Sequence, residues 1–220
     1  MADIFDLFKK IEKKNETSTK APTHIIAGLG NPGREYERTR HNAGRHALDY
    51  LGDKLGVSIT RAKFNALTAD AQLGAYRVLL LKPSTYMNNS GEAIRAAADF
   101  YKIPPENILV LVDDIYQDAG RMRVRKEGSH GGHNGLRSIE NELGTTHYPR
   151  IRLGVGQKPS PEYDLAAWVL GMMPKDDITK LVSCFSLIDK AAEMIFDGKI
   201  ETAMGLCNGH RPPETKSEKV

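Results

Sequence analysis

The chain has 220 residues, enough for one ordinary α/β domain and too few for two comfortable ones. It is 40% hydrophobic and 27% charged, as globular proteins typically are, and no apolar run approaches the ~20 residues that a membrane span requires. The N-terminus lacks the apolar core of a signal peptide and the two cysteines form no C-x-x-C pair, so we expect a cytoplasmic protein with no membrane partner. A formal net charge of +3 permits a nucleic-acid partner without requiring one.

The composition changes near both ends of the chain. Residues 1–22 combine a short apolar pattern with a polar linker, and we expect a flexible N-terminal extension there. Residues 209–220 are polar, contain a proline pair and show no periodicity, which predicts a disordered C-terminal tail. The single folded domain is therefore predicted over residues 23–208.

Strand-like and helix-like segments alternate through this domain. Short apolar runs that end in turn residues predict strands over 23–29, 76–83 and 106–114. Helical periodicity predicts helices over approximately 43–56, 89–101, 132–143 and 175–197. This alternation indicates an α/β fold: a single domain with a mixed, mostly parallel twisted sheet flanked by helices.

The first predicted strand is followed by a glycine loop, "GLGNPG", in which Gly28, Gly30 and Gly33 form G-x-G-x-x-G. That pattern binds a dinucleotide only when a helix begins at the glycines and an acidic residue follows a second strand about 20 positions later. Here the helical pattern begins only near Ala43, and the candidate acids fall inside that helix. We therefore predict no dinucleotide cofactor.

Polar side chains follow each of the predicted strands. Ligands of open α/β sheets bind outside the carboxyl ends of the strands, so residues from these loops are expected to share one crevice. A fourth loop, "GSHGGHNG", contains four glycines that allow the backbone to approach a ligand closely. The residues expected in the crevice are Asn31, His41, Asn42, Met87, Asn88, Asp113, His133 and Asn134.

The expected crevice contains a histidine, a carboxylate and several carboxamides, with no credible covalent nucleophile. His130 and His133 lie three residues apart in a glycine loop, a poor spacing for zinc, so we predict no metal and no other cofactor. The remaining chemistry is a pair in which Asp113 fixes the tautomer of His41 and His41 takes a proton from water. Carboxamide N–H groups would hold a carbonyl and its developing oxyanion, which favours hydrolysis of an activated ester.

Two later segments carry alternating arginines. In "GRMRVRK", Arg121, Arg123 and Arg125 alternate with apolar residues, and in "YPRIRLGVG", Arg150 and Arg152 do the same. The two-residue period of a strand places each set on one face, where guanidinium groups can bind phosphate bidentately. The alternative, that these arginines only cover the solvated face of an edge strand, stays open at this point.

Four motifs together carry a resemblance to a known family. They are "GLGNPGREYERTRHNAG", "KPSTYMNNSG", "ILVLVDD" and "GSHGGHNGLRSIENELGTTHYPRIRLGVG". In this order they resemble the bacterial-type peptidyl-tRNA hydrolases, and the likeness runs from about Thr23 to about Cys207. The resemblance implies a monomeric, metal-free enzyme of translation that cleaves the ester between a peptide and the terminal ribose of tRNA, which recycles the tRNA.

The resemblance also implies roles for individual residues. His41 corresponds to the catalytic base, Asp113 to the carboxylate that orients it, and Asn31 and Asn88 to the carboxamides that hold the reacting carbonyl. The positions that match the substrate crevice are Tyr36, Asn42, Met87, His133 and Asn134. The positions that match the tRNA phosphate contacts are Arg125 and Arg152, with Arg123 as an additional candidate.

One departure from the family pattern lies just after the acidic pair. Where the family commonly has a further acid and a proline, this chain has Tyr116 and Ala119, so the rim of the crevice is expected to differ. An alternative function is a non-catalytic RNA-binding relative, such as the plastid intron-splicing factors that share this fold. The complete His–Asp–Asn set argues against it, because such proteins do not depend on a catalytic set.

Overall fold

The structure is a computed structural model, and it describes residues 21–214. Most of the predicted N-terminal extension and the last six residues of the predicted tail lie outside the described residues. Within the described range, no helix is long and apolar enough to cross a membrane.

A seven-stranded mixed sheet runs through the described residues, in the order β2-β3-β4-β1-β5-β7-β6. Neighbouring strands are parallel in the centre, from β4 through β1 and β5 to β7, and antiparallel toward both edges. The strands are β1 (His24–Gly28), β2 (Arg61–Lys63), β3 (Ala66–Leu73), β4 (Tyr76–Pro83), β5 (Ile108–Asp114), β6 (Met122–Arg125) and β7 (Arg150–Gly154). The predicted mixed α/β sheet is confirmed, although parallel and antiparallel pairings among these strands are equal in number.

Helices cover both faces of the sheet and close two apolar cores. One face carries α2 (Ser90–Tyr101) and α3 (Asn134–Leu143). The other face carries α1 (Ala43–Lys54), α5 (Lys175–Phe185), α6 (Ile188–Phe196) and α7 (Ile200–Asn208). The short α4 (Leu165–Leu170) contributes no residue to either core, although its Val169 is buried. The central strands β1 and β5 are buried along their whole length, as expected for strands with helices on both sides.

Two glycines allow α1 to lie close to the sheet. A Cβ added to Gly44 would lie 2.3 Å from the carbonyl oxygen of Leu111, and one added to Gly28 would lie 2.5 Å from the carbonyl oxygen of Gly44. Neither position has room for a side chain, so these glycines serve the packing of helix on strand. The helix α1 begins only at Ala43, and the element that directly follows the G-x-G-x-x-G loop is a three-residue 3-10 helix, Arg34–Tyr36.

The sequence analysis missed or merged several elements. The hairpin of β2 and β3 was not predicted, because its strands carry few of the branched apolar residues that identify strands. The predicted helix over 175–197 is two helices, α5 and α6, separated at Ser186 and Leu187. Helices α4 and α7 were also missed.

Candidate active site

The candidate site is a cavity of about 740 Å³ at the carboxyl ends of the central parallel strands. The expected convergence of loops from different strands therefore occurs. The predicted site residues that line the cavity are Asn31, His41, Met87, Asn88, Asp113, His133, Asn134 and Arg152. The predicted site residues that do not line it are Tyr36, Asn42, Arg123 and Arg125.

His41 and Asp113 form the centre of the site. A short 3-10 helix, Arg40–Asn42, places His41 just before α1, and its Nδ1 lies 2.9 Å from Oδ1 of Asp113 at the end of β5. Both residues are buried, with His41 7% and Asp113 2% exposed. Burial alone would lower the pKa of His41, but the charge and hydrogen bond of Asp113 outweigh it, and the pKa is raised above its usual value. With Nδ1–H directed to the carboxylate, Nε2 carries the free lone pair of the neutral ring.

His133 is a second partner of the same carboxylate. Its Nε2 lies 2.9 Å from Oδ1 of Asp113, and its Nδ1 accepts hydrogen bonds from the backbone N–H groups of Gly135 and Leu136. The side chain is thus the N-cap of α3, and because Nδ1 is an acceptor the proton must lie on Nε2. Burial is the main cause that lowers the pKa of His133, which keeps this ring neutral.

The two imidazoles determine the charge state of Asp113. Burial by itself would raise the pKa of this carboxyl, but His41 and His133 outweigh it and hold the pKa well below its usual range. The sequence analysis placed His133 only in the crevice wall. Its contact with Asp113 was missed, because nothing in the spacing of a glycine loop indicates which strand end it approaches.

The same three residues are the cluster of potential metal ligands among the described residues. Their nearest ligand atoms lie within 4.8 Å of one another. In the observed arrangement, however, Nδ1 of His41 and Nε2 of His133 both point their N–H groups at Asp113, so neither offers that lone pair to a cation. The hydrogen-bond pattern therefore fits a proton-transfer site better than a metal site.

Asn31 is held by three hydrogen bonds. Its backbone N–H donates to Oδ1 of Asn42 at 2.8 Å, and Nδ2 of Asn42 donates to the carbonyl oxygen of Asn31 at 3.0 Å. The Asn31 side-chain oxygen accepts from the backbone N–H of Met87 at 2.8 Å. These bonds fix the amide orientation and leave Nδ2 of Asn31 as a donor toward the cavity. Asn42 does not line the cavity, and its side chain instead holds the backbone of Asn31 in place.

The other polar wall residues are more open. Asn88 and Asn134 are exposed residues at the cavity, whereas Met87 lines it as a buried residue. Tyr36 does not line the cavity. Its ring packs edge-on against the ring of Tyr86, with the two ring centroids 6.3 Å apart. Tyr86, which the sequence analysis did not select, is the residue that lines the cavity there.

The arginines differ sharply in their surroundings. Arg123 and Arg125 are exposed along β6, as the two-residue period predicted. Arg152 faces Arg123 across the β6–β7 pair and lines the cavity, where its Nε donates to Oδ2 of Asp114 at 2.9 Å. The idea that Arg150 shares an exposed face is wrong, because Arg150 is 1% exposed and donates to backbone carbonyl groups beside Tyr148.

Asp114 is a buried carboxylate that hydrogen bonds hold in place. Beside Arg152 it accepts hydrogen bonds from the backbone N–H of Tyr116 and from Nε2 of Gln117. Burial would raise the pKa of Asp114, but these donors outweigh it and hold the pKa below its usual value. The hydrogen bond from the backbone N–H of Tyr116 to Asp114 helps to place Tyr116 at the cavity rim, where this residue is 67% exposed.

One wall of the cavity comes from a segment that the sequence analysis did not use. Helix α4 and its N-cap contribute side chains opposite the catalytic loops. The residues concerned are Asp164, Leu165, Ala166, Val169 and Leu170. Leu165 and Leu170 are partly exposed, so the wall offers apolar surface to a bound ligand. The helix is too short and too irregular in pattern for periodicity to reveal it.

This fold and site define a class: a hydrolase with a mixed α/β sheet, in which a buried histidine–carboxylate pair and carboxamide side chains lie at an open cavity. The family model described as "Peptidyl-tRNA hydrolase" matches residues 25–217. The chain belongs to the peptidyl-tRNA hydrolase family.

Relatives and solved structures agree with this assignment. A peptidyl-tRNA hydrolase of Lachnospira eligens is 46% identical over 186 residues, covering 84% of this chain and 100% of that protein. One of Clostridium novyi is 45% identical over 187 residues, covering 85% and 98% of the two chains. The crystal structure of peptidyl-tRNA hydrolase from Acinetobacter baumannii matches with a TM-score of 0.81 at 34% identity, covering 88% of this chain and all of the other.

Proposed function

We propose that this protein hydrolyses the ester bond that joins a peptide to the 3′-terminal ribose of tRNA. Family membership supports this reaction class, and one observation in the site carries the mechanism. That observation is the buried hydrogen bond of 2.9 Å between Nδ1 of His41 and Asp113, which directs the free Nε2 lone pair into the cavity.

His41 is the general base of the proposed reaction. Its Nε2 removes a proton from water as the water attacks the ester carbonyl, and the ring becomes an imidazolium. Asp113 stabilises that cation and keeps Nδ1 protonated throughout. The imidazolium then returns the proton to the leaving ribose oxygen, so the products are a free peptide carboxylate and a tRNA with its terminal hydroxyl restored.

Asn31 and Asn88 stabilise the developing oxyanion. Nδ2 of Asn31 is aimed at the cavity by the bonds from Met87 and Asn42, so little reorganisation is needed when charge develops. Asn88 follows Met87 on the same short 3-10 helix and lines the same cavity. Removal of one such donor typically costs about 10²–10³ in kcat.

The peptide and the tRNA occupy different parts of the surface. The peptide lies along the cavity wall that contains Met87, His133 and Asn134, with Tyr36 and Asn42 supporting it from behind. The tRNA backbone contacts Arg123 and Arg125 on β6 and Arg152 at the cavity edge, which position the acceptor end without reading base sequence.

We also propose that the protein acts as a monomer in the cytoplasm, without a cofactor. The cavity is built by one chain, and Cys184 and Cys207 are buried free thiols, as a reducing compartment allows. Light scattering of the purified chain tests the monomer, because a mass near twice that of one chain would contradict it.

Release of labelled peptide from peptidyl-tRNA tests the function. Wild type should turn over, and His41→Ala should lose about 10²-fold or more of the rate because the base is gone. His147→Ala is the matched control, since His147 is a surface histidine outside the cavity. Tight tRNA binding by wild type without any turnover would instead favour the non-catalytic RNA-binding alternative.

A further inference from the structure

Arg40, the residue immediately before His41, is buried although it carries a charge. Its guanidinium carbon lies 3.6 Å from the ring centroid of Trp168 on α4, a stacked cation–π contact. One terminal nitrogen of the same guanidinium also donates to the carbonyl oxygens of Met172 and Trp168, at 3.1 and 3.5 Å. The side chain therefore joins the catalytic loop to the helix that forms the opposite cavity wall.

The backbone reinforces this connection. The N–H of Arg40 donates to the carbonyl oxygen of Gly171 at 3.2 Å, and Thr39 pairs with Met172 in an isolated antiparallel bridge. On its far side, Trp168 donates from Nε1 to the carbonyl oxygen of Gly156, at 3.2 Å, which anchors the ring to the loop after β7. Arg40 and Gly156 thus hold the indole from two directions.

Helix α4 depends on such anchors for its position. It has six residues, and an isolated helix shorter than ~12 residues is marginal in water. Within it, Val169 is buried, while Leu165 and Leu170 are 39% and 42% exposed. Burial of apolar side chains therefore contributes little to the position of α4, and the contacts of Trp168 contribute more.

The binding of Arg40 has a specific chemistry. No salt bridge joins it to a carboxylate of the described residues, although the charge of Asp177 acts on it from farther away, and its Nε has no hydrogen-bond partner there. A planar π face and carbonyl oxygens hold the guanidinium, and a lysine ammonium cannot match that combination of stacking and forked donors.

We propose that Arg40 is a positioning residue for the reaction, which fixes α4 as the outer wall of the cavity against the loop that carries His41. This inference rests on the proposed function, because the wall is there to hold the peptide of the substrate. His41 itself is oriented by Asp113, so loss of Arg40 should weaken substrate binding more than it slows proton transfer.

The expected kinetic result is a split between KM and kcat. With Arg40→Lys, KM for peptidyl-tRNA should rise by about tenfold, a factor between those of an exposed and a desolvated cation–π contact, while kcat stays within about twofold. Trp168→Phe should also raise KM. The KM of the double variant should not exceed that of the more affected single variant, because both substitutions remove the same Arg40–Trp168 contact. Arg38→Lys is the matched control, an exposed arginine two residues away.

A spectroscopic readout does not depend on activity. Trp168 is the single tryptophan of the chain, so its fluorescence reports on α4 alone. Acrylamide should quench Arg40→Lys about twice as efficiently as wild type, and Arg38→Lys should match wild type. Circular dichroism establishes that each variant folds, and if Arg40→Lys does not, Trp168→Phe carries the kinetic test.

Two results overturn the inference. One is an Arg40→Lys variant with wild-type quenching and wild-type KM. The other is a variant with unchanged KM and a strongly reduced kcat, which would place Arg40 with His41 and not with α4. Failure of the proposed function is recognised separately, because then the wild type itself would release no peptide.

Discussion

The rings of His41 and His133 meet at a single oxygen of Asp113, with their centroids 4.7 Å apart. The two histidines nevertheless have opposite properties. The pKa of His41 is raised and its Nε2 faces the cavity, whereas the pKa of His133 is lowered and its Nδ1 is occupied by the start of α3. One carboxylate therefore supports one histidine that can take a proton and one that stays neutral.

Asp113→Asn should change the pH dependence of the reaction. His41 must be neutral to act as base, and its raised pKa means that kcat/KM of wild type falls as the pH drops through a value above about 6.5. Without the carboxylate charge, that midpoint should move to lower pH, and the plateau should fall by about 10²-fold or more. Rates measured from about pH 5 to 8 decide this, and an unmoved midpoint would contradict the role of Asp113.

Substitution of His133 should move the same midpoint in the opposite direction. When the donor from Nε2 is lost, the charge of Asp113 is less offset, so the pKa of His41 should rise further. His133→Asn and His133→Ala should both show this. A midpoint at or below that of wild type in both variants would show that His133 does not act through Asp113.

Stability separates the two His133 variants. Asparagine can still accept from the first backbone N–H groups of α3, whereas alanine cannot, so His133→Ala should lose about 1 kcal/mol more free energy of unfolding. Denaturant unfolding measures this difference. Equal stabilities would mean that the observed cap contributes nothing.

Arg125→Ala should weaken binding of tRNA-linked substrates and make its salt dependence shallower. Each phosphate contact that is lost reduces the slope of log K against log salt by about 0.7–0.9. Arg125 is exposed on β6 and lies outside the cavity, so a small ester mimic without tRNA should react at the wild-type rate. If both substrates suffer equally, Arg125 supports the fold and not tRNA binding.

Arg152 requires a different design, because it is paired with buried Asp114. Arg152→Gln alone would leave that carboxylate without its cationic partner, which destabilises the protein for reasons unrelated to tRNA. The double variant with Asp114→Asn removes both charges and should still show the shallower salt slope. A double variant with the wild-type slope would exclude Arg152 as a phosphate contact.

Gly44→Ala should destabilise the protein, by roughly 1–3 kcal/mol, because the new Cβ would collide with the carbonyl oxygen of Leu111. Activity should fall as well, since α1 would shift together with the adjoining His41. Gly205→Ala on α7 is the matched control: a Cβ there meets nothing within 4 Å, and the helix should gain about 0.5–1 kcal/mol. Similar shifts in both variants, measured by thermal unfolding, would contradict the close approach.

Several features of the site followed from the sequence alone. Five site residues come from loops or strand ends that short apolar runs identify. They are Asn31, His41, Met87, Asn88 and Asp113. Because carboxyl ends of parallel strands lie at one edge of the sheet, these residues had to approach one another. Strand period likewise predicted the exposure of the arginines on β6, since alternate residues of a strand point to opposite faces.

The tertiary structure alone decided what covers each face and which atoms meet. Arg150 and Arg152 have the same alternation in sequence, yet one is buried against Tyr148 and the other lines the cavity with Asp114. The contact of His133 with Asp113 and the position of α4 depend on packing between segments far apart in the chain. A periodic pattern records which side chains share a face, but the segment that will cover that face is chosen by long-range packing, which local sequence does not encode.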